Sequence, residues 1–299
     1  MSSIVAYEIT TPIIALKITL NEVDKLYIHE EILEKRKSWL VNKIRADNFF
    51  KDPIIVDEKT MVVLDGMHRV AASRELGFKY IPVCLVDYDN PRIELYSWSR
   101  LVSVKDELRG TYKNIEEARS AALYTISRLG FRLVNIANYN AGKAMLSRRE
   151  LIALIYTGRT LLGIRYPTSG IKSMYEQIKK AEKALEMRGF EISYQTEKDS
   201  MLMLEGGANI MAIVPPPISK SEVRSLALSG EVFVHKSTRH VIPARPLNVN
   251  IPLDWLSGKY TIDEARRMLL EHLVKKSIKR LPPGTVLDRR YDEELYVFQ

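Results

Sequence analysis

The stretch Val62-Val63-Leu64-Asp65-Gly66-Met67-His68-Arg69 reads as an apolar strand that runs into a glycine turn and then straight into a helix. Gly66 supplies the sharp turn and lets a ligand approach without meeting a Cβ atom. Ala72 and Leu76 lie one helical turn apart and Gly77 offers a left-handed stop, so the helix is expected to begin near Met67. Its first amides and the positive end of its dipole then converge with the side chains of His68 and Arg69 on one spot that favours an anion. Phosphate is the anion expected there. Asp65 at the strand end is placed to hold a metal ion, or to orient the imidazole and guanidinium, rather than to touch phosphate itself.

Working outward, short strands and amphipathic helices alternate over the first hundred residues. Ile54-Ile55-Val56 and Met61 to Leu64 flank Asp57-Glu58-Lys59-Thr60, a loop of hairpin length. Leu33, Lys37, Leu40, Val41 and Ile44 mark one face of a helix over about 32–46, and the apolar run 81–86 completes the unit. Between roughly 114 and 188 the pattern turns mainly helical. Ile115, Ala118, Ala122, Ile126 and Leu129 recur at helical steps before Gly130. Ser147-Arg148-Arg149-Glu150 reads as a capping box that opens the next helix, and Ile171, Met174, Ile178, Ala181 and Leu185 mark a third that stops at Gly189. Met201 to Leu204 and Ile210 to Val214 are expected to pair as a hairpin. Ser219-Lys220-Ser221-Glu222 and Thr261-Ile262-Asp263-Glu264 cap two later helices. The expected class is α/β (α+β): an α/β unit over 1–113, a helical middle over 114–189 and a C-terminal α/β part over 190–299, packed around one cleft.

With 299 residues and 46% hydrophobic content the chain can bury a full core. A formal charge of +8 suits an anionic ligand such as a nucleotide and also suits nucleic acid, so charge alone does not separate the two. The single cysteine, Cys84, lies in an apolar run, which excludes an intrachain disulfide and a cysteine metal site and fits a reducing, cytoplasmic setting. No apolar run approaches the roughly twenty residues of a membrane span, and no basic-then-apolar secretion pattern opens the chain.

The residues with chemistry to offer fall in a few places. Glu30, beside His29 and Glu31, stands at the start of the first helix, where a carboxylate either complements the helix dipole or serves as a general base; Glu31 is equally available for both. Lys236-Ser237-Thr238-Arg239-His240 gathers five donors in five residues and can grip a carboxylate or phosphate, with Arg239 as a bidentate clamp. Trp98 either walls a small pocket or fills core.

Residues 25–100, with Ile28-His29-Glu30, Asp52-Pro53-Ile54-Ile55-Val56, Leu64-Asp65-Gly66-Met67-His68-Arg69 and Tyr96-Ser97-Trp98, resemble the ParB/sulfiredoxin superfamily and, within it, the free-serine kinases. Lys236-Ser237-Thr238-Arg239-His240 and Pro243-Ala244-Arg245-Pro246 resemble the C-terminal part of the archaeal ADP-dependent serine kinase. The resemblance implies a kinase that moves a phosphoryl group from ATP or ADP, with Mg²⁺, onto the hydroxyl of L-serine. It implies Glu30 as the catalytic base, with Asp65 and His68 in the same active-site turn. Gly66, Met67, His68 and Arg69 become the nucleotide-phosphate loop, and Trp98, Ser237, Thr238, Arg239 and His240 the serine and phosphoserine pocket. Neither a nucleic-acid nor a membrane partner is expected on this reading. The alternative within the superfamily is a ParB-like DNA-binding or nucleotide-gated protein, for which the middle region offers no basic recognition helix. Sulfiredoxin-like redox repair is excluded by Met67, which stands where that chemistry needs a thiolate.

Overall fold

A computed structural model describes residues 5–299, which fold as two units: Lys220–His235 and His240–Gln299 join the chain up to Leu95, and Tyr96–Ser219 joins Lys236–Arg239. The basic excess is not shared between them. Acidic and basic residues of the first unit balance, so the formal +8 resides in the second.

The first unit is built on a five-stranded sheet in the order Tyr7–Thr10, Ala15–Glu22, Tyr80–Val86, Ile54–Asp57, Val63–Asp65. All its pairings are antiparallel except that of Ile54–Asp57 with Tyr80–Val86. A parallel pair needs a crossover, and the helix Met67–Glu75 provides it. The expected hairpin is present, its second strand starting at Val63. The central strands read as unbroken apolar runs because both their faces are covered, and every residue of Tyr80–Val86 is buried. The first helix, Glu34–Asp47, begins two residues later than its periodicity implies, with Leu33 as its N-cap. Thr261 and Glu264 form the expected capping box ahead of the helix Ile262–Val274.

The expected helix starts near Met67 and stops at Gly77 are both present. Gly66 is the N-cap at φ +99° and Gly77 sits at φ +71°. A short extended segment closes the unit. Tyr27 N–H donates to Met61 O at 3.1 Å and Val63 N–H to Tyr27 O at 2.8 Å, while Phe233 N–H donates to His29 O at 2.8 Å and Glu31 N–H to Phe233 O at 2.9 Å. Residues 27–31 thus bridge in parallel to Val62 on one side and to Phe233 on the other.

The second unit carries a six-stranded sheet in the order Phe190–Gln195, Ser99–Val104, Asn209–Val214, Ala153–Tyr156, Leu161–Arg165, Arg132–Asn135. Helices Ile115–Ser127 and Ile171–Met187 cover one part of it with an apolar core that includes Ala122, Ile126, Ile178 and Leu185. Within residues 114–189 the three helices Ile115–Ser127, Tyr139–Ser147 and Ile171–Met187 predominate, and three strands of the sheet lie between them. Two local readings are corrected here. Ser147-Arg148-Arg149-Glu150 ends the helix Tyr139–Ser147, whose N-cap is Asn138, and Arg149 at φ +62° turns the chain into the buried strand Ala153–Tyr156. Met201 to Leu204 belongs to the helix Glu197–Glu205, because Thr196 caps it through the Asp199 amide and only its Ser200 and Leu204 faces are buried. Among the described residues no helix is long and apolar enough to cross a membrane.

Gly66 and Gly77 offer a matched test of the turn. A Cβ on Gly66 would lie 2.5 Å from Ile54 Cγ2 and 2.9 Å from the Arg69 guanidinium, whereas at Gly77 no atom lies within 4 Å. Gly77→Ala is expected to cost about 1 kcal/mol from its left-handed backbone alone, and Gly66→Ala about 2–4 kcal/mol because overpacking adds to it. Urea unfolding of the two variants checks this; equal losses would mean that the turn is not tightly packed.

Candidate active site

The site in the first unit grows from the extended segment 27–31. His29 is wholly buried and its Nδ1 donates to Val63 O at 2.7 Å, which locks the segment against the strand leading into the glycine turn. Glu30 follows, 6% exposed, and the chain then enters the first helix. The Leu33 amide at that entrance donates to His68 Nε2 at 3.0 Å. The start of the first helix and the start of the helix after the glycine turn therefore meet at one imidazole. Because Nε2 accepts, the ring proton of His68 sits on Nδ1, and His68 is a neutral donor there.

Glu31 and Glu30, equivalent in sequence, are distinguished by the fold. Glu31 Oε2 accepts the His235 amide at 3.2 Å, which ties this carboxylate to the returning chain. His235 in turn packs edge-on against His68, with ring centroids 5.7 Å apart. At the glycine turn no side chain caps the helix and no acidic residue lies in its first turn, so the N-terminal amides of Met67 and His68 face a region suited to an anion.

Arg69 points elsewhere. Its guanidinium donates to Asp52 O at 2.7 Å, Pro53 O at 2.9 Å and Asp65 Oδ2 at 3.0 Å, clamping the turn to the loop before Ile54–Asp57. Asp65 Oδ2 also accepts from Arg245 Nη1 at 2.8 Å, and Arg245 Nε donates to Glu293 at 2.5 Å. Desolvation pushes the Asp65 carboxyl up, but Arg245, Arg69 and Arg289 outweigh it and hold it well below the usual carboxylate range. Asp65 is thus a fixed anion that orients two arginines. The motif reading gave Arg245 no role; its signal was a lone charge inside the apolar run Val241-Ile242-Pro243-Ala244-Arg245-Pro246-Leu247.

His240 lies against the same segment. Its ring is 5.5 Å from that of His29, and its Nε2 is 2.7 Å from the Tyr88 hydroxyl. Lys220 and Arg224 sit over the Tyr88 ring, and Lys220 also donates to the Tyr88 and Asn90 carbonyls. Desolvation lowers the affinity of His240 for a proton, and His29, Arg245 and Lys220 lower it further; burial does the same to His29. Burial therefore favours the neutral form of both imidazoles.

In the second unit Trp98 is half-buried and carries the Lys236 ammonium 4.5 Å from its ring centroid. Arg239 lies 5.6 Å from the same ring system and 5.7 Å from that of Tyr96. Lys236 adopts φ +62°, unusual for a side chain of its size, and Ser237 and Thr238 are buried. Lys236 was part of the quoted donor run but was given no site role of its own.

No family model matches the chain. Among individual proteins, an ATP-dependent L-serine kinase of Staphylothermus marinus is 31% identical over 255 residues, covering 82% of this chain and 93% of that protein. The chain belongs to the L-serine kinase family. The ADP-dependent L-serine kinase SerK of Thermococcus kodakarensis is 23% identical over 244 residues, covering 79% of this chain and 91% of that protein. A mutant free serine kinase solved in complex with AMP shares the fold, with a TM-score of 0.65 at 20% identity over 84% of this chain and 97% of that one. The α/β fold expected from the motifs is present and is shared with the free serine kinase.

Two buried imidazoles with lowered proton affinity make stability depend on pH. In the unfolded chain His29 and His240 regain their ordinary value of 6.5, so below it the unfolded state binds more protons than the folded one. Stability is then complete above pH 6.5 and falls as the pH drops below it towards the depressed folded values. Thermal unfolding of the first-unit signal is expected to shift to lower temperature between pH 7.5 and 5.5, and less so in His240→Asn. A flat profile over that range would contradict the neutral assignment.

Proposed function

We propose that this serine kinase family member transfers the terminal phosphoryl group of ATP to the hydroxyl of free L-serine, giving O-phospho-L-serine and ADP. ATP is chosen because it is the nucleotide in the name of the 31% identical relative, and the ADP-dependent relative is more distant at 23%. One observation carries the assignment of roles. The segment that holds Glu30 is hydrogen-bonded to the strand feeding the glycine turn, and the next helix start is hydrogen-bonded to His68.

Phosphoryl transfer asks mainly for positioning and for neutralisation of charge on the transferred group. In this reading the amides of Met67 and His68, with Gly66 giving close approach, receive the nucleotide phosphates, and His68 donates from Nδ1. Arg69 and Asp65 keep the turn in shape, Arg69 through the loop at Asp52 and Pro53 and Asp65 through Arg245. Glu30 takes the serine proton as the new O–P bond forms, while Glu31 stays on the His235 amide. Trp98, Ser237, Thr238, Arg239 and His240 are assigned to the amino acid, with Arg239 on its carboxylate.

The residues fit a magnesium ion that arrives on the nucleotide. Among the described residues no three of His, Cys, Asp and Glu are grouped as a metal cage, and Asp65 is already engaged by two arginines. Mg²⁺ is commonly held by phosphate oxygens and water with few protein ligands, and bound that way it neutralises charge on the phosphates.

Incubation of the protein with Mg²⁺, L-serine and either ATP or ADP, followed by phosphorus NMR, is expected to show phosphoserine with ATP. Product formed from ADP alone would reverse the choice of donor, and no product from either would remove the function. Glu30→Gln is expected to lower turnover by at least about a hundredfold while nucleotide affinity stays within about twofold. Near-normal turnover in that variant would take the role of base away from Glu30.

A further inference from the structure

The second unit contains a buried charge that the proposed reaction does not use. Arg100, on the strand Ser99–Val104, is wholly buried. Its Nε donates to Glu182 Oε1 at 2.5 Å and its Nη1 to the carbonyl of Trp98 at 2.6 Å. The other Glu182 oxygen accepts the Tyr194 hydroxyl at 2.9 Å, and Tyr194 is the cross-strand partner of Arg100. The guanidinium lies 5.6 Å and 5.4 Å from the ring centroids of Tyr175 and Tyr194. Tyr175 and Glu182 are two turns apart on the buried face of one helix, which places them on the same side of the guanidinium. The Tyr175 hydroxyl donates to Pro216 O at 2.8 Å and lies 2.6 Å from Ser97 Oγ. The residue before Trp98 and the carbonyl of Trp98 itself are therefore both pinned from the buried side.

Burying an arginine with one carboxylate is a poor route to stability, since apolar residues of similar volume usually serve as well or better. What such a pair does supply is fixed geometry. A guanidinium has donors in a rigid planar fork, so it can grip Glu182 and the Trp98 carbonyl at the same time, which the single ammonium of a lysine cannot reproduce. The residue whose carbonyl is held in this way carries the ring on which Lys236 and Arg239 rest.

We infer that Arg100, with Glu182, Tyr175 and Tyr194, is a positioning group that sets the orientation of Trp98 and, through it, of the two cations on its ring, and so governs recognition of the amino acid rather than of the nucleotide. This rests on the reading that Trp98 serves the serine pocket. Arg100 itself touches no substrate. Its influence passes through the backbone at Trp98.

The test uses the full chain with Trp39 and Trp255 replaced by phenylalanine, so that Trp98 is the one indole reporting fluorescence. Arg100→Lys, Tyr175→Phe and Trp98→Phe (the last assayed kinetically) are compared for serine KM, ATP KM and kcat with Mg²⁺ present. Arg100→Lys is expected to raise the serine KM by about tenfold or more with the ATP KM within about twofold, and to shift Trp98 emission to the red with stronger acrylamide quenching. Tyr175→Phe, which removes one hydroxyl and keeps the ring, is expected to move the same readouts in the same direction by a smaller factor, and it decides the matter if Arg100→Lys does not fold. A serine KM and Trp98 emission unchanged in Tyr175→Phe and in any folded Arg100→Lys would overturn the inference, as would equal losses for serine and ATP. Trp98→Phe separates the two levels. If it leaves the serine KM unchanged, the pocket reading fails and the inference with it; if it raises that KM while the other two variants do not, only the positioning role fails.

Discussion

The parallel bridging of residues 27–31 between Val62–Val63 and Phe233 is the constraint on which the rest of the first unit depends. Five residues with no helical or long-strand signal of their own take up both edges' hydrogen bonds. In doing so they bring the start of one helix to the start of another. Backbone bonds set this geometry, so it does not rely on any exposed side chain, and the buried ring of His29 reinforces it through the Val63 carbonyl. In the proposed mechanism a general base and a phosphate-binding turn need a fixed separation, and a two-sided ladder is a stiffer way to provide one than a loop.

Charge is arranged for shape as much as for ligand binding. Asp65, Arg69, Arg245 and Glu293 form one chain of paired charges linking the glycine turn to the C-terminal strands Arg245–Leu247 and Leu295–Phe298. Removing one member would leave its partners desolvated and uncompensated, which is why such chains hold a geometry more firmly than they add stability. The second unit repeats the principle with Arg100 and Glu182. There Arg100 holds the carbonyl of Trp98 and Tyr175 meets the hydroxyl of Ser97, in a short segment outside regular secondary structure.

Much of the fold could be read locally. The glycine turn, the helix from Met67, the stop at Gly77, the cap at Thr261 and the helices opening at Ile115 and Ile171 each follow from residues within a turn or two of one another. The misreadings came where two local rules competed. Ser147-Arg148-Arg149-Glu150 has the letters of a capping box, but the apolar run after it is a buried strand and not a helix face. Met201 to Leu204 is apolar enough for a strand, yet Thr196 had already committed the chain to a helix. The apolar content of a four-residue window cannot separate these states.

What the sequence by itself determined was the set of local devices: where turns and helices begin, which stretches are core, and which donors and carboxylates are gathered along the chain. Tertiary structure alone decided their employment. It gave Glu31 to the His235 amide, made His68 an acceptor for Leu33, turned Arg69 back onto Asp52 and Pro53, and found Asp65 a partner 180 residues away in Arg245. The reason is physical. Turn and cap preferences are settled by neighbours a few residues off, whereas the partner of a buried polar group is settled by whichever distant segment the packed core brings within 3 Å of it.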